Sequence, residues 1–190
     1  MSQHTIVALV QDRPGVLNRI ASKWRQRGFN IESLAVGHSE VPGLSRMTFT
    51  VDGTTTDIDQ VTKQMYKIIE VVKVSDLTEH DIVHRELVLI KVSATPQQRG
   101  GIIEIVDIFR AKIVDVSTEA LIVEATGTED KIDAFIEMLR PFGIKEVVRT
   151  GRIAMARGPT APTALDGRRV EEHHRYRPAG EGKPKVGSLL

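Results

Sequence analysis

Residues 5–28 read TIVALVQDRPGVLNRIASKWRQRG, and this stretch decides the fold. Thr5 to Val10 is a short apolar run of the kind that forms a buried strand. It ends in Gln11-Asp12-Arg13-Pro14-Gly15, a cluster of turn formers. Past the turn, apolar residues recur at Val16, Leu17, Ile20, Ala21 and Trp24, which is helical spacing. Arg25, Gln26 and Arg27 then precede Gly28. Cations suit the negative end of a helix dipole and glycine suits the residue just past it, so the helix stops here.

The neighbouring segments complete a pattern. Phe29 to Val36 and Leu44 to Val51 are strand-like, divided by a turn at Pro42-Gly43. A second helix is predicted from Ile58, Val61, Met65, Ile68 and Ile69, with Asp57 as its cap. Val71 to Leu77 reads as a strand, so residues 1–78 run β-α-β-β-α-β. The order then repeats. Val83 to Ala94 alternates around Leu87, Leu89 and Lys91, and Pro96 with Gly100-Gly101 precedes a helix carrying Ile102, Ile105, Val106 and Phe109. Ile113 to Val116 and Ala120 to Ala125 are short strands. Thr128 caps a helix bearing Ile132, Phe135, Ile136 and Leu139, with Glu129 and Asp130 in its first turn. A last strand starts at Ile144 and runs to about Ala156.

The expected class is α+β: two tandem ferredoxin-like units over residues 1–78 and 79–157, each an antiparallel sheet with both helices on one face. Residues 158–190 carry Pro159, Pro162, Pro178 and Pro184 among glycines and few apolar residues, which predicts a flexible tail. Its cluster Arg168-Arg169 and His173-His174-Arg175 is interrupted by Glu171 and Glu172, which weakens it as a site for an acidic partner.

Composition removes whole classes of function. With 26 basic and 25 acidic residues the net charge is +1, which is not the basic footprint of a nucleic-acid binder. Aromatics are only 4%, so the core must come from Val, Ile, Leu and Ala. Cysteine is absent, which excludes disulfides, thiolate metal sites and cysteine nucleophiles. Met1-Ser2-Gln3-His4 has no signal-peptide pattern, and no apolar run approaches the roughly 20 residues that span a bilayer. A soluble cytoplasmic protein without a nucleic-acid or membrane partner is expected.

Catalytic patterns are missing too. Ser45, His38 and Asp52 lack a triad signature, and His84-Arg85-Glu86 is not a zinc-binding helix motif. Gly100-Gly101 lacks the Lys-Ser/Thr of a phosphate loop and reads as a turn into a helix. The Asp12–Gly15 turn is different. A helix N-terminus offers unpaired N–H groups to a carboxylate, and Asp12 beside it suits an ammonium group. A free amino acid carries both groups on one carbon. The plainer alternative leaves Asp12 as a helix cap and Gly15 as a turn glycine.

Asp12-Arg13-Pro14-Gly15-Val16-Leu17 resembles the D-x-x-G-x-L turn of ACT domains, small-molecule sensors of amino-acid metabolism. Arg27-Gly28-Phe29-Asn30-Ile31-Glu32-Ser33-Leu34, with Leu44-Ser45-Arg46-Met47-Thr48, is similar to the signature of the small subunits of acetohydroxyacid (acetolactate) synthase. Val74-Ser75-Asp76-Leu77, Arg85-Glu86-Leu87 and Asp133-Ala134-Phe135 continue the resemblance, which covers about residues 4–157.

The resemblance implies a subunit without catalysis or cofactor of its own. It implies an N-terminal ACT domain that pairs with a second copy and binds valine, or else isoleucine or leucine, between subunits. The site residues it implies are Asp12, Gly15, Val16, Leu17, Asn18, Asn30 and Val36. The N–H groups around Gly15 and Val16 would take the carboxylate, Asp12 and Asn30 of facing subunits the ammonium, and Leu17 and Val36 the branched side chain. Many relatives have Asn where Asp12 stands and a small hydroxyl residue where Asn18 stands, so the pocket's size and preferred effector are open. The implied partner is a large catalytic subunit using thiamine diphosphate, Mg and FAD, contacted by the C-terminal unit. The rival readings are a stand-alone ACT-type amino-acid-responsive regulator, which lacks a visible DNA-reading element, and an enzyme on ferredoxin-like domains, which lacks converging acid–base groups.

Overall fold

The computed structural model describes residues 3–52 and 57–165. β1 (Gln3–Gln11), α1 (Val16–Gln26), β2 (Ile31–His38), β3 (Leu44–Asp52), α2 (Ile58–Met65) and β4 (Val71–Asp76) form the first unit. The order recurs in β5 (Ile82–Ser93), α3 (Arg99–Ile108), β6 (Lys112–Val116), β7 (Ala120–Gly127), α4 (Glu129–Leu139) and β8 (Ile144–Arg149), and β9 (Ile153–Ala156) follows. The strand orders are β2-β3-β1-β4 and β6-β7-β5-β8, and neighbouring strands are antiparallel. The architecture is therefore the predicted pair of tandem ferredoxin-like units.

Alternation along each strand sends one set of side chains to the helices. Ile6, Ala8 and Val10 of β1 join Met47, Phe49 and Val51 of β3 against Val16, Ile20 and Trp24 of α1 and Val61 and Met65 of α2. Trp24 is 1% exposed, with its ring centroid 4.7 Å from that of Phe49. Burying side chains of this size contributes about 1.5–3 kcal/mol each, so the helical spacing read from the sequence is the spacing of core contacts. In the second unit Val88, Ile90 and Val92 meet Ile102, Ile105, Ile132 and Phe135 in the same manner.

Several local expectations need correction. α2 ends at Met65, because Lys67, Ile68 and Val71 donate to carbonyls three residues back and turn the chain into β4. Ile68 still reaches the core, but Ile69 is 84% exposed. Asp57 caps α2 through the Gln60 N–H, whereas the Thr128 hydroxyl makes no capping bond to α4. Gly100 and Gly101 lie inside α3 instead of before it; a Cβ on Gly101 would stand 3.2 Å from the Phe142 ring, so this glycine admits that ring.

The single last strand predicted from Ile144 to about Ala156 is two. Thr150-Gly151-Arg152 breaks it, so that β8 pairs with the C-terminal half of β5 while β9 pairs with Ile82–Arg85. The ribbon of β9 and early β5 crosses the helix-free face of the first sheet, where Val7 packs with Leu77, Ile82 and Ala154. Residues 162–164 extend the cover. The Thr163 hydroxyl accepts from Arg46 (2.8 Å), the Ala164 carbonyl from Lys73 (2.5 Å) and the Pro162 carbonyl from Ser75 (3.0 Å). The start of the segment read as a tail is thus packed; the rest of that expectation, with Arg168-Arg169 and His173-His174-Arg175, lies outside the described residues.

Gly151 marks a close backbone approach between the units, since a Cβ there would stand 2.3 Å from the Leu34 carbonyl oxygen. Backbone on both sides leaves little room to yield. Gly151→Ala is expected to destabilise the chain by about 1–3 kcal/mol, the usual range for overpacking. Urea unfolding followed by Trp24, the chain's single tryptophan, measures the loss. A second prediction concerns His84, whose Nδ1 is buried without a partner among the described residues. Burial first, then the charges of Arg152 and Arg85, hold its pKa below the ordinary imidazole value against Glu86 and Glu129. The unfolded chain therefore takes up this proton at higher pH than the folded one. His84 stabilises the fold fully above about pH 6.5 and progressively less as pH falls toward its lowered value. His84→Gln should lessen the drop in melting temperature between about pH 7.5 and about pH 5.5.

Candidate functional site

β1 delivers the chain into the turn under tight backbone control. The Gln11 N–H donates to the Glu70 carbonyl (2.8 Å) and the Asp12 N–H to the Gly43 carbonyl (2.9 Å). Gly15 then occupies the N-cap of α1 at φ +84°, a left-handed conformation that side chains rarely adopt. Nothing lies within 4 Å of where its Cβ would stand. The Val16 N–H reaches the Arg13 carbonyl only at 3.4 Å, and the N–H groups of Gly15, Leu17 and Asn18 have no bond to another described residue. The positive end of α1 therefore faces open space with donors to spare.

Asp12 does not cap this helix, which has no side-chain cap bond. Its carboxylate instead lies 3.4 Å from His38 Nδ1 at the end of β2, and both side chains are well exposed. His38 is the residue that the sequence reading missed as part of this turn. The signal was the register: His38 sits opposite Ser45, one residue past the strand start that follows Gly43.

The structure brings Asp12, Gly15, Val16, Leu17 and Asn18 to one end of the first sheet. Their availability differs. Val16 is 2% exposed, so its side chain is core and only its backbone faces the turn. Leu17 is 41% and Val36 50% exposed, so both leave apolar surface open at this end of the sheet. Val36 stands opposite Met47 on the edge strand β2, two residues before His38. Asn18 faces away along α1, into a groove shared with Arg19, Ser22, Lys23 and Glu70. Asn30 precedes β2 at the opposite end of the sheet, beside Trp24, Gly28 and Phe29. Within one chain it does not meet Asp12. A cavity of about 370 Å³ borders the same edge, with Ala35, Val36 and Gly37 on one side and Val83, Ile153 and Met155 on the other.

The three residues considered for a triad do not converge. Ser45 lies opposite His38, but Asp52 stands at the far end of β3. Among the described residues no three His, Asp or Glu side chains are grouped to hold a metal ion, and no helix is long and apolar enough to cross a membrane.

Residues 6–73 match the model of the AHAS small subunit-like ACT domain, and residues 85–158 match that of the small subunit of acetolactate synthase. The chain belongs to the acetolactate synthase small-subunit family. A probable acetolactate synthase small subunit of Archaeoglobus fulgidus is 55% identical over 82% of this chain and 98% of its own length. The acetolactate synthase small subunit of Mycolicibacterium smegmatis is 50% identical over 82% of this chain and 92% of its own length. The crystal structure of the acetolactate synthase small subunit of Thermotoga maritima superposes with a TM-score of 0.77 at 44% identity, covering 84% of this chain and all of that one. The two family models meet the two ferredoxin-like units in turn, so the resemblance in the sequence and the repeat in the fold are one finding.

Proposed function

We propose that this acetolactate synthase small-subunit family member is a regulatory subunit that binds valine, isoleucine or leucine between two copies of its first unit. Bound to a large catalytic subunit in the cytoplasm, it raises acetolactate formation and makes it sensitive to that amino acid. The observation that carries this reading is the layout of the β2 edge. Asp12, Leu17 and Val36 stand at the His38 end and Asn30 at the Ile31 end. A two-fold axis through the middle of β2 sets the Asn30 end of one copy beside the Asp12 end of the other, and an edge strand is open to such pairing. The donors of Gly15 and Leu17 then take the effector carboxylate, Asp12 and Asn30 the ammonium, and Leu17 with Val36 the branched side chain. His38 competes with the ammonium for Asp12.

An effector bridging two copies favours one relative orientation of them, and only such differential affinity shifts an equilibrium. The second unit is assigned to the catalytic subunit. In support, among the described residues the helix-free face of its sheet has no counterpart to the cover on the first sheet. It carries Leu89, Ile122 and the 54% exposed Val148, interspersed with Lys91, Glu124 and Glu146. The partner implied here condenses 2-oxo acids with thiamine diphosphate, Mg and FAD, and this chain needs no cofactor of its own.

Calorimetric titration of the chain with valine, isoleucine and leucine tests the reading directly, and absence of heat with all three would sink it. Gly15→Asp should abolish effector inhibition of the reconstituted enzyme while leaving its stimulation, because the new carboxylate repels that of the effector. Gly15→Asn, which carries the same backbone strain without the charge, should retain measurable inhibition. Val148→Asp should weaken co-purification with the large subunit by about ten-fold or more while effector binding stays unchanged, as for a charge placed on an apolar contact.

A further inference from the structure

Arg152 lies in the connection between β8 and β9, buried to 7% exposure, where that connection crosses the first unit. Its backbone N–H donates to Ser33 Oγ at 3.0 Å. One terminal nitrogen of its guanidinium donates both to Gln3 Oε1 and to Glu129 Oε2, each at 2.6 Å. The other reaches Thr5 Oγ1 at 3.5 Å, and Nε has no partner among the described residues. Gln3 and Thr5 belong to β1 and Ser33 to β2, whereas Glu129 is the first residue of α4. One guanidinium therefore holds the first sheet to a helix of the second unit. Ser33 in turn shares a hydrogen bond with Thr50 of β3 (3.2 Å), and the Gln3 amide donates to Glu32 of β2 (2.7 Å). Both arms of the cluster end on β2.

We infer that Arg152 is the positioning residue that couples the β2 edge to the second unit. The inference rests on the proposed regulatory reading, in which β2 carries the effector site and the second unit meets the catalytic subunit. A shift of β2 against its two-fold mate moves Ser33 and Glu32, and through Ser33 and Gln3 it moves the Arg152 fork. The fork passes the movement to Glu129 and so to the start of α4. A planar guanidinium with fixed donor directions transmits orientation better than a flexible ammonium. The pair serves this better than it serves stability, because desolvation of the buried guanidinium offsets much of its attraction to the partly exposed Glu129. Gly151 adds to the mechanism by keeping the two backbones in contact over Leu34 and Ala35, which leaves the joint no slack.

The test uses the full chain reconstituted with its catalytic subunit, and compares Glu129→Gln, Glu129→Asp and Arg152→Gln with the wild type. The effector concentration for half inhibition should rise about five-fold or more in Glu129→Gln and Arg152→Gln, while calorimetric affinity and uninhibited activity stay within about two-fold. Glu129→Asp, which keeps the carboxylate, should restore inhibition. A role in stability alone would move melting temperature without separating binding from inhibition. In parallel, spin labels at Gln26→Cys and Lys112→Cys, in a chain that has no cysteine of its own, report the distance between the units. That distance distribution should broaden in Glu129→Gln. Inhibition equal to the wild type in both charge-removing variants overturns the inference, whatever the distances. If Arg152→Gln fails to fold, Glu129→Gln decides, because its carboxylate is partly exposed. If the wild type binds none of valine, isoleucine and leucine, the regulatory reading fails by itself. The label distances then judge the joint alone, and an unchanged distribution in Glu129→Gln overturns it.

Discussion

A small antiparallel sheet with both helices on one face leaves its other face to be covered, and the rest of this molecule follows from how that is done. In the first unit Val7 and Leu9 point away from the helices yet are each 1% exposed. The cover is supplied by the second half of the chain. β5 is extended to twelve residues so that its first four can pair with β9 across the first sheet. Residues 162–164 close the remainder through Arg46, Lys73 and Ser75. Burial of apolar side chains at about 1.5–3 kcal/mol each makes this more than a tether. The two units are held in one orientation by a hydrophobic contact with a polar joint at its margin.

Among the described residues the second sheet receives no equivalent cover, and that asymmetry divides the labour in the proposed function. One helix-free face is used up inside the chain, while the other leaves Leu89, Ile122 and Val148 without such a cover among the described residues. The first unit keeps its β2 edge and the N-terminus of α1 free of side-chain caps. These are backbone features: unspent N–H groups and, among the described residues, a strand edge with no neighbour. They suit a ligand that bears a carboxylate and is held where two copies meet. In the proposed function, regulation reduces to geometry: the effector selects one arrangement of copies, and the proposed joint at Arg152 carries that choice to the second unit.

Much of the fold was legible in the residues because it depends on local periodicity. Val16, Ile20 and Trp24 announce α1, and Gly28 at φ +71° ends it, as the sequence implies. Where expectation and structure part, nonlocal contacts decide. Ile69 has the right spacing for α2, but the chain must turn there to bring Val71 and Val74 into the sheet, so it is left in solvent. Gly101 reads as a turn glycine until the Phe142 ring arrives from 41 residues away in sequence and occupies the space beside it. Thr128 has the identity of a cap and lies at the cap position, yet its hydroxyl makes no such bond.

The candidate site divides in the same way. By itself the sequence determined the βαββαβ repeat, the core faces and the Asp12–Gly15 turn, since each rests on residue type at short spacing. It also held the family resemblance that the two domain models bear out. Only the tertiary structure decided that Val16 is core, that Asn30 lies at the far end of the sheet from Asp12, and that His38 stands beside Asp12. It alone revealed Gly151 and Arg152 as the joint, because nothing about those two residues is distinctive until strands more than a hundred positions away are folded against them. Periodicity is written residue by residue along the chain, whereas the closing of one unit over another is a property of surfaces that exist only after each has folded.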